Sequence, residues 1–365
     1  MPSIRVDAWV GRRAEIERHL VCAMQGQFPV IARGSTGEVA AVFRVGAGHY
    51  GLTGTLATAL STDGGRTWSG PIEVAPRGED VRNPAFAIVG DGDAARDGRW
   101  VLAYWQAGMY CYPSLGGGER KWRAPREGGE APDMFVVTSE DRGRTWSAPF
   151  GYRSEKLAWV SPFGRMVALA DGTLVMSAYG GVRESNPLGR VDTIVVRSRD
   201  GGRTWGDEST VVTMANEMSL CVVGDELVGA ARRVDGSTAI VRSADGGQTW
   251  SAPVAATRSG EHPADLCVLR ESGHLLMTYG RRVRPLGCAT KTSRDGGATW
   301  TEHEVLLAGD GIGHDVGYPS TVQLDDGTLL TALYFANGSA GSEGPASWGE
   351  TSCQVLRYPE ALVVG

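Results

Sequence analysis

The chain has 365 residues, among them 52 Gly and 11 Trp, and a formal net charge of −6. Basic and acidic residues are mixed along it, so no basic track for nucleic acid is present, and no run approaches the ~18–20 apolar residues of a membrane-spanning helix. Frequent Gly and aromatic residues suit short strands and tight turns, and sheet-rich repeat folds reach this length as one domain.

The N-terminal stretch MPSIRVDAWVGRRAEIERHL has no apolar run after a basic start and does not read as a secretory leader. Six cysteines, Cys22, Cys111, Cys221, Cys267, Cys288 and Cys353, are scattered with no C-x-x-C pair. Free thiols and a cytoplasmic location are expected. From Phe28 onward two kinds of unit alternate. The first is a strand, a tight turn and a strand: FPVIARGSTGEVAAVF from Phe28, NPAFAIVGDG from Asn83, SPFGRMVALADGTLVMSAY from Ser161, NEMSLCVVGDELVGAAR from Asn216, HPADLCVLRESGHLLMTYGR from His262 and YPSTVQLDDGTLLTALYF from Tyr318. Most open on a residue followed by Pro, which suits the first position of a strand because Pro has no N–H to pair.

In the gaps between these six hairpins lies the second unit. STDGGRTWS from Ser61 returns as SEDRGRTWS from Ser139, SRDGGRTWG from Ser198, SADGGQTWS from Ser243 and SRDGGATWT from Ser293. In each, Asp can accept backbone N–H bonds, Gly tolerates positive φ, and Trp can pack between neighbouring sheets. Six hairpins with five interleaved turns predict an all-β, six-bladed β-propeller spanning 1–365 as one domain, with the N-terminal segment closing the last blade. The turns are scaffold, because identical turns spread around a rim cannot form one site. The heads of the inner strands converge at one mouth, and the site is expected there.

S-x-D-x-G-x-T-W resembles the Asp box of the sialidase (neuraminidase) superfamily with its BNR repeats, and six blades is that family's architecture. The resemblance covers nearly the whole chain and implies a retaining exo-glycoside hydrolase with a Tyr nucleophile. Tyr318, heading the last inner strand, matches the nucleophile. Glu217 matches the base that takes its proton, and Arg232 follows 15 residues later as one of the carboxylate-binding arginines. A Tyr activated by Glu approaches an anionic anomeric centre as a neutral group, which a carboxylate cannot do. Another carboxylate-binding arginine is Arg281 or Arg282. Arg forks suit carboxylates because two N–H bonds form at once.

Two landmarks of the family are missing. The first arginine is replaced by Gln27, in Gln27-Phe28-Pro29, and Arg82 of Arg82-Asn83-Pro84 stands in the analogous slot of the next blade. The stretch FRVGAGHYGLTGTLATALS, where the family has its acid/base Asp, has no Asp or Glu but contains His49 and Tyr50. A protonated imidazole can serve as general acid, so His49 is the candidate; Asp80, Asp265 and Asp315 are other carboxylates near inner-strand heads. His314 and Asp315 are expected to line the pocket. The loop from Trp105 carries Tyr110, Tyr112 and Trp122, which can stack on sugar faces. The resulting expectation is hydrolysis of sialic acid or a related acidic or deoxy sugar at a non-reducing end, with a glycan or glycoside as partner and neither nucleic acid nor membrane. The alternative is a non-catalytic carbohydrate-binding Asp-box propeller. No cofactor or catalytic metal is expected: no G-x-x-x-x-G-K loop and no H-x-x-x-H pair occurs.

Overall fold

The computed structural model describes residues 13–23, 25–49, 53–75, 80–90, 98–107, 132–183, 190–336 and 351–364. Tyr50, Tyr110, Cys111, Tyr112 and Trp122 lie outside the described residues.

The described chain is built almost wholly of antiparallel meanders. The first contains β2 (Gln27–Arg33), β3 (Val39–Val45), β4 (Thr55–Ser61) and β5 (Ile72–Glu73). Then come β6 (Asp80–Val89), β7 (Arg99–Ala107), β8 (Met134–Ser139) and β9 (Phe150–Tyr152), followed by β10 (Ser161–Ala168), β11 (Leu174–Gly181), β12 (Val191–Ser198) and β13 (Gly206–Thr213). The next two are β14 (Ala215–Val223), β15 (Glu226–Arg233), β16 (Thr238–Ser243) and β17 (Val254–Ala255), and β18 (Glu261–Val268), β19 (Leu275–Arg281), β20 (Gly287–Ser293) and β21 (Val305–Ala308). The last sheet joins β22 (Gly317–Gln323), β23 (Thr328–Ala336) and β24 (Thr351–Pro359) to β1 (Glu17–Cys22), which pairs with β24.

The arrangement is all-β and propeller-like. Where six separate blades were expected, hydrogen bonding makes five sheets, four of four strands and one of eight. The large sheet forms because β6 and β10 touch in parallel at Ala85–Gly164 and Phe86–Arg165, joining two four-stranded runs at their inner edges. Strands between two packed sheets are apolar on both faces, which is why β3, VAAVFRV, is buried at every position.

The five Asp-bearing turns each end the third strand of a meander. In the first, Ser61 Oγ donates to Asp63 Oδ1 at 2.9 Å and accepts from Gly65 N at 2.8 Å. Thr67 donates its N–H (2.9 Å) and its hydroxyl (2.6 Å) to the same carboxylate, and Trp68 Nε1 donates to the Gly65 carbonyl at 3.1 Å. The Trp then packs into the seam with the neighbouring sheet. Trp68 packs on a core cluster that joins its own sheet to Val322, Leu330 and Val355 of the last sheet, and Trp250 on one that includes Val175 and Val195 of the sheet before it. Arg142 takes the left-handed place of the first Gly in its copy, at φ 61°.

Each inner strand breaks register near its head. In β2, β6, β14, β18 and β22 three residues advance against two on the partner, at Gln27/Val30, Arg82/Ala85, Ala215/Met218, Glu261/Ala264 and Gly317/Ser320. Such a one-residue bulge bends the strand and re-aims its side chains. The residues inside these bulges are Phe28-Pro29, Asn83-Pro84, Asn216-Glu217, His262-Pro263 and Tyr318-Pro319. Phe28, Asn83 and Tyr318 adopt positive φ of 54°, 52° and 53°. Pro loses nothing here, because the bulge has already interrupted the ladder.

Candidate active site

A narrow axial cavity collects all six inner strands, with Phe28, Asn83, Phe163, Ser219, Ala264 and Tyr318 on its wall. At its head, Tyr318 Oη donates to Glu217 Oε1 at 2.6 Å. Arg232 Nη1 donates to Glu217 Oε2 at 2.6 Å and lies 3.4 Å from Tyr318 Oη. The Tyr318 ring is held edge-on by Phe28 at 4.9 Å and packs against Tyr334 at 5.7 Å. Burial and the Glu217 charge push the phenol well above its usual pKa, against the pull of Arg232 and Arg282. Burial alone would lower the Arg232 pKa, but Glu217 outweighs it and raises it. Tyr318 therefore rests as a neutral phenol, hydrogen-bonded to a carboxylate that can take its proton.

The two arginines at 281 and 282 face different surroundings. Arg281 donates Nε to Glu304 Oε1 at 3.0 Å and Nη1 to the carbonyls of Val283 (2.6 Å) and Pro285 (2.8 Å). It is buried in its own sheet and does not reach the Tyr318 group. Arg282 is the one at the site, with its guanidinium carbon 5.7 Å from the Tyr318 ring centroid. Its buried Nε and Nη2 have no hydrogen-bond partner among the described residues. His314 Nδ1 donates to the Arg282 carbonyl at 3.0 Å and steadies that backbone.

Gln27 is fully buried and stands opposite Arg44 across β2 and β3. Arg44, which the sequence reading did not single out, is fully buried too and held by Asp80 at 2.7 Å and by the Gly48 carbonyl at 2.9 Å. Arg82 is held within its own meander, Nε 3.5 Å from Asp80 and the guanidinium stacked 4.5 Å over the Trp105 ring. The slot vacated by the missing arginine thus has a neutral Gln27 in it, while Arg82 is engaged with Asp80 and Trp105. Asp265 is likewise engaged, paired with Arg165 at 3.1 Å and accepting Thr321 N at 2.6 Å.

His49 is brought to the site from the segment between β3 and β4. Its ring meets Phe28 edge-on at 4.9 Å, so Phe28 carries the His49 and Tyr318 rings together. Nδ1 lies 3.2 Å from Asp315 Oδ1, which also accepts Tyr334 Oη at 2.5 Å. Burial raises the Asp315 pKa, but His49, Tyr334 and Arg282 together outweigh it and hold the carboxyl below its usual range. Asp315 therefore orients His49.

Among the described residues, no three His, Cys, Asp or Glu side chains gather to hold a metal, and no helix is long and apolar enough to cross a membrane. Cys221, Cys267, Cys288 and Cys353 are free thiols.

The family model of the BNR repeat-like domain matches residues 112–331. The chain belongs to this BNR-repeat family of the sialidase superfamily. It is 25% identical over 307 residues to a sialidase of Bacteroides fragilis (strain YCH46), which covers 74% of this chain and 52% of that protein. It is 26% identical over 185 residues to a sialidase of Clostridium perfringens, covering 47% of this chain and 44% of the relative. The chain thus spans about half the length of the curated relatives it matches. Among solved structures, a protein of unknown function from Dyadobacter fermentans DSM 18053 superposes with a TM-score of 0.72 at 21% identity, covering 94% of this chain and 99% of that one. Trypanosoma rangeli sialidase in complex with sialic acid gives 0.63 at 14% identity, covering 95% and 59%. These structural likenesses concern the fold.

Proposed function

We propose that this chain is a retaining exo-glycoside hydrolase of the sialidase type, acting on a glycan or glycoside that ends in sialic acid or a related acidic or deoxy sugar. The observation that carries it is the buried hydrogen bond of 2.6 Å from Tyr318 Oη to Glu217, with Arg232 and Arg282 beside it. A binding module needs no nucleophile and no base at its centre. In this reading the Tyr318 oxygen attacks the anomeric carbon while its proton passes to Glu217. The bond to the leaving oxygen breaks, and His49, oriented by Asp315, protonates that oxygen. Water then attacks the tyrosyl-linked sugar, giving its proton to His49, and Glu217 returns a proton to Tyr318. Arg282, with unpartnered donors, and Arg232 hold the anionic group of the sugar.

The eight-stranded sheet is read as two blades fused at the β6–β10 contact, which makes six blades in one domain closed by the pairing of β1 with β24. The activity is tested with an aryl α-sialoside and with 2,3-difluorosialic acid as a trap. Turnover lost in Tyr318→Phe, with an adduct mapped to Tyr318 by mass spectrometry, is expected. No turnover of any acidic aryl glycoside and no adduct would overturn it.

A further inference from the structure

Cys22 and Cys353 stand directly opposite each other where β1 pairs with β24. Directly opposed residues of an antiparallel pair have Cα atoms ~4.5–5.5 Å apart, inside the ~4.4–6.8 Å that a disulfide spans. Both side chains turn to the same side. Cys353 is buried in the core cluster between the first and last sheets, and Cys22 packs against that cluster while staying partly exposed. The register shifts between Leu20 and Cys22, and this bulge lets Val21 and Cys22 both reach the cluster. Burial first, then the neighbouring Cys22, push the Cys353 pKa up, as two facing sulfurs should.

The pair ties the two ends of the fold. Of the six residues of β1 only Val21 is buried, and the ion pair from Arg18 to Asp310 at 2.7 Å is open to solvent. A strand with so little burial opens at low cost. The crossing from β1 into β2 passes the same spot, since a Cβ on Gly26 would come within 2.6 Å of the Cys353 Cβ. Cys353 is thus covered, and Cys22 is the side from which a reagent can enter.

We infer that Cys22 and Cys353 form an oxidative modification site, where a small-molecule disulfide converts them to a cross-strand disulfide that fastens the N-terminal strand to the C-terminal one. The Cys22 thiolate attacks one sulfur of the oxidant and releases the other as a thiol. The Cys353 sulfur, giving up its proton, then attacks the Cys22 sulfur and expels the second thiol. Two protein thiols are oxidised to one disulfide, and one oxidant disulfide is reduced to two thiols. The bond closes a loop between residues 331 apart (353 − 22 = 331), and cross-links over long loops constrain the unfolded chain most. It also locks the sheet that carries Tyr318 and Tyr334 on β22 and β23. The inference stands apart from the hydrolase reading.

The test uses the full chain, reduced with dithiothreitol and then equilibrated with oxidised glutathione. Remaining thiols are alkylated after unfolding, and unreduced tryptic peptides are mapped by mass spectrometry. The expected result is a linked pair joining the peptide of Cys22 to the peptide of Cys353, lighter by two hydrogens than the two thiol peptides and separated by dithiothreitol. The thermal midpoint is expected to rise by about 3–5 °C on oxidation and to fall back on reduction. Cys22→Ala, at the partly exposed position, is expected to melt with the reduced wild type and to gain nothing from oxidised glutathione. Both cysteines still open to alkylation, Cys22 held only as a mixed disulfide with glutathione, or Cys22 joined to another cysteine would each overturn the site. A linked pair with no rise in the midpoint, or a rise that persists in Cys22→Ala, would overturn its role as a fastening.

Discussion

Replacing Glu217 with Gln tests its proposed role as the base apart from the rest of the site. Glu217 has two bonds to lose, Oε1 to Tyr318 and Oε2 to Arg232, both 2.6 Å. A Gln side chain has one acceptor oxygen, which the charged Arg232 claims. The amide NH₂ then faces Tyr318 Oη and can only donate to it, so the phenol keeps its proton. General-base assistance contributes about 10²–10⁴-fold, which corresponds to ~3–5 kcal/mol of barrier. The expected result is a fall in kcat of at least 10²-fold. KM is expected to stay within a few-fold, because Arg282 is untouched and Arg232 is freed from its carboxylate. Steady-state kinetics on an aryl α-sialoside would measure both, with urea unfolding of each protein to account for stability. Loss of one partner from a buried ion pair costs up to about 3–5 kcal/mol, and Arg232, with 23% of its side chain accessible, should fall below that. A folded Glu217→Gln protein with kcat within tenfold of the wild type would refute the assignment of Glu217 as the base.

Asp265→Asn removes the charge that compensates Arg165 on the axis and is expected to destabilise the fold by about 3–5 kcal/mol, read as a lowered urea midpoint at unchanged slope. A loss under ~1 kcal/mol would show that the pair is not a structural anchor. The carboxylates of the Asp-bearing turns are held below the usual range. Asp141 is lowered to about 2, first by the Thr145 hydroxyl and then by the Thr145 N–H and Ser139. Their contribution is therefore complete above pH ~4, the usual carboxylate value, and is lost as pH falls from there toward 2. An unfolding series over that window should show stability falling with acid, less steeply in Asp141→Asn. Arg142→Gly relieves a left-handed φ of 61° and is expected to raise stability by roughly 0.5–1 kcal/mol in the same urea assay; a loss would show that the Arg142 side chain outweighs its backbone strain.

How much of this was readable in the sequence follows the range of the interactions. Each turn motif is closed by bonds within eight residues, as from Ser61 to Trp68, so its bonding could be reasoned out from STDGGRTW alone. Five of the six inner-strand heads were legible because Pro marks them; the β14 head, Asn216-Glu217, has none. The meeting of Tyr318 with Glu217, 101 residues apart, was expected only through the family resemblance. Spacing to the next turn matched Arg282 with Arg232 while strand-end position favoured Arg281, and the two left the pair open, because the deciding group is Glu304, which belongs to no motif and claims Arg281. The fusion of two sheets at Gly164–Ala85 was hidden for a similar reason, since the contact joins two inner edges with no signature at either. The bulge at His262 was written in the same pattern, since His262-Pro263 aligns with Phe28-Pro29, Asn83-Pro84 and Tyr318-Pro319.

The repeated bulge explains how one scaffold unit yields a single asymmetric site. Five inner strands insert one extra residue at the same place, so five similar backbone segments face one mouth. The bulge removes these positions from the ladder, and their side chains are then free to differ without a cost in pairing. The first residue of each bulge is Phe28, Asn83, Asn216, His262 or Tyr318, and in β14 alone the second is not Pro but Glu217, so the five present a packing ring, an amide bonded to Ser161 and Tyr179, the proposed base, an imidazole and the proposed nucleophile. Strain belongs to the same device, since Phe28, Asn83 and Tyr318 hold positive φ that β-strands do not otherwise use, and such strain persists only where the surrounding structure over-determines it. The turns and seams supply that constraint from outside the mouth. Fold and chemistry are therefore carried by different positions of the repeat. Exchanges at the bulges should change turnover more than stability, and exchanges in the Asp-bearing turns should change stability more than turnover.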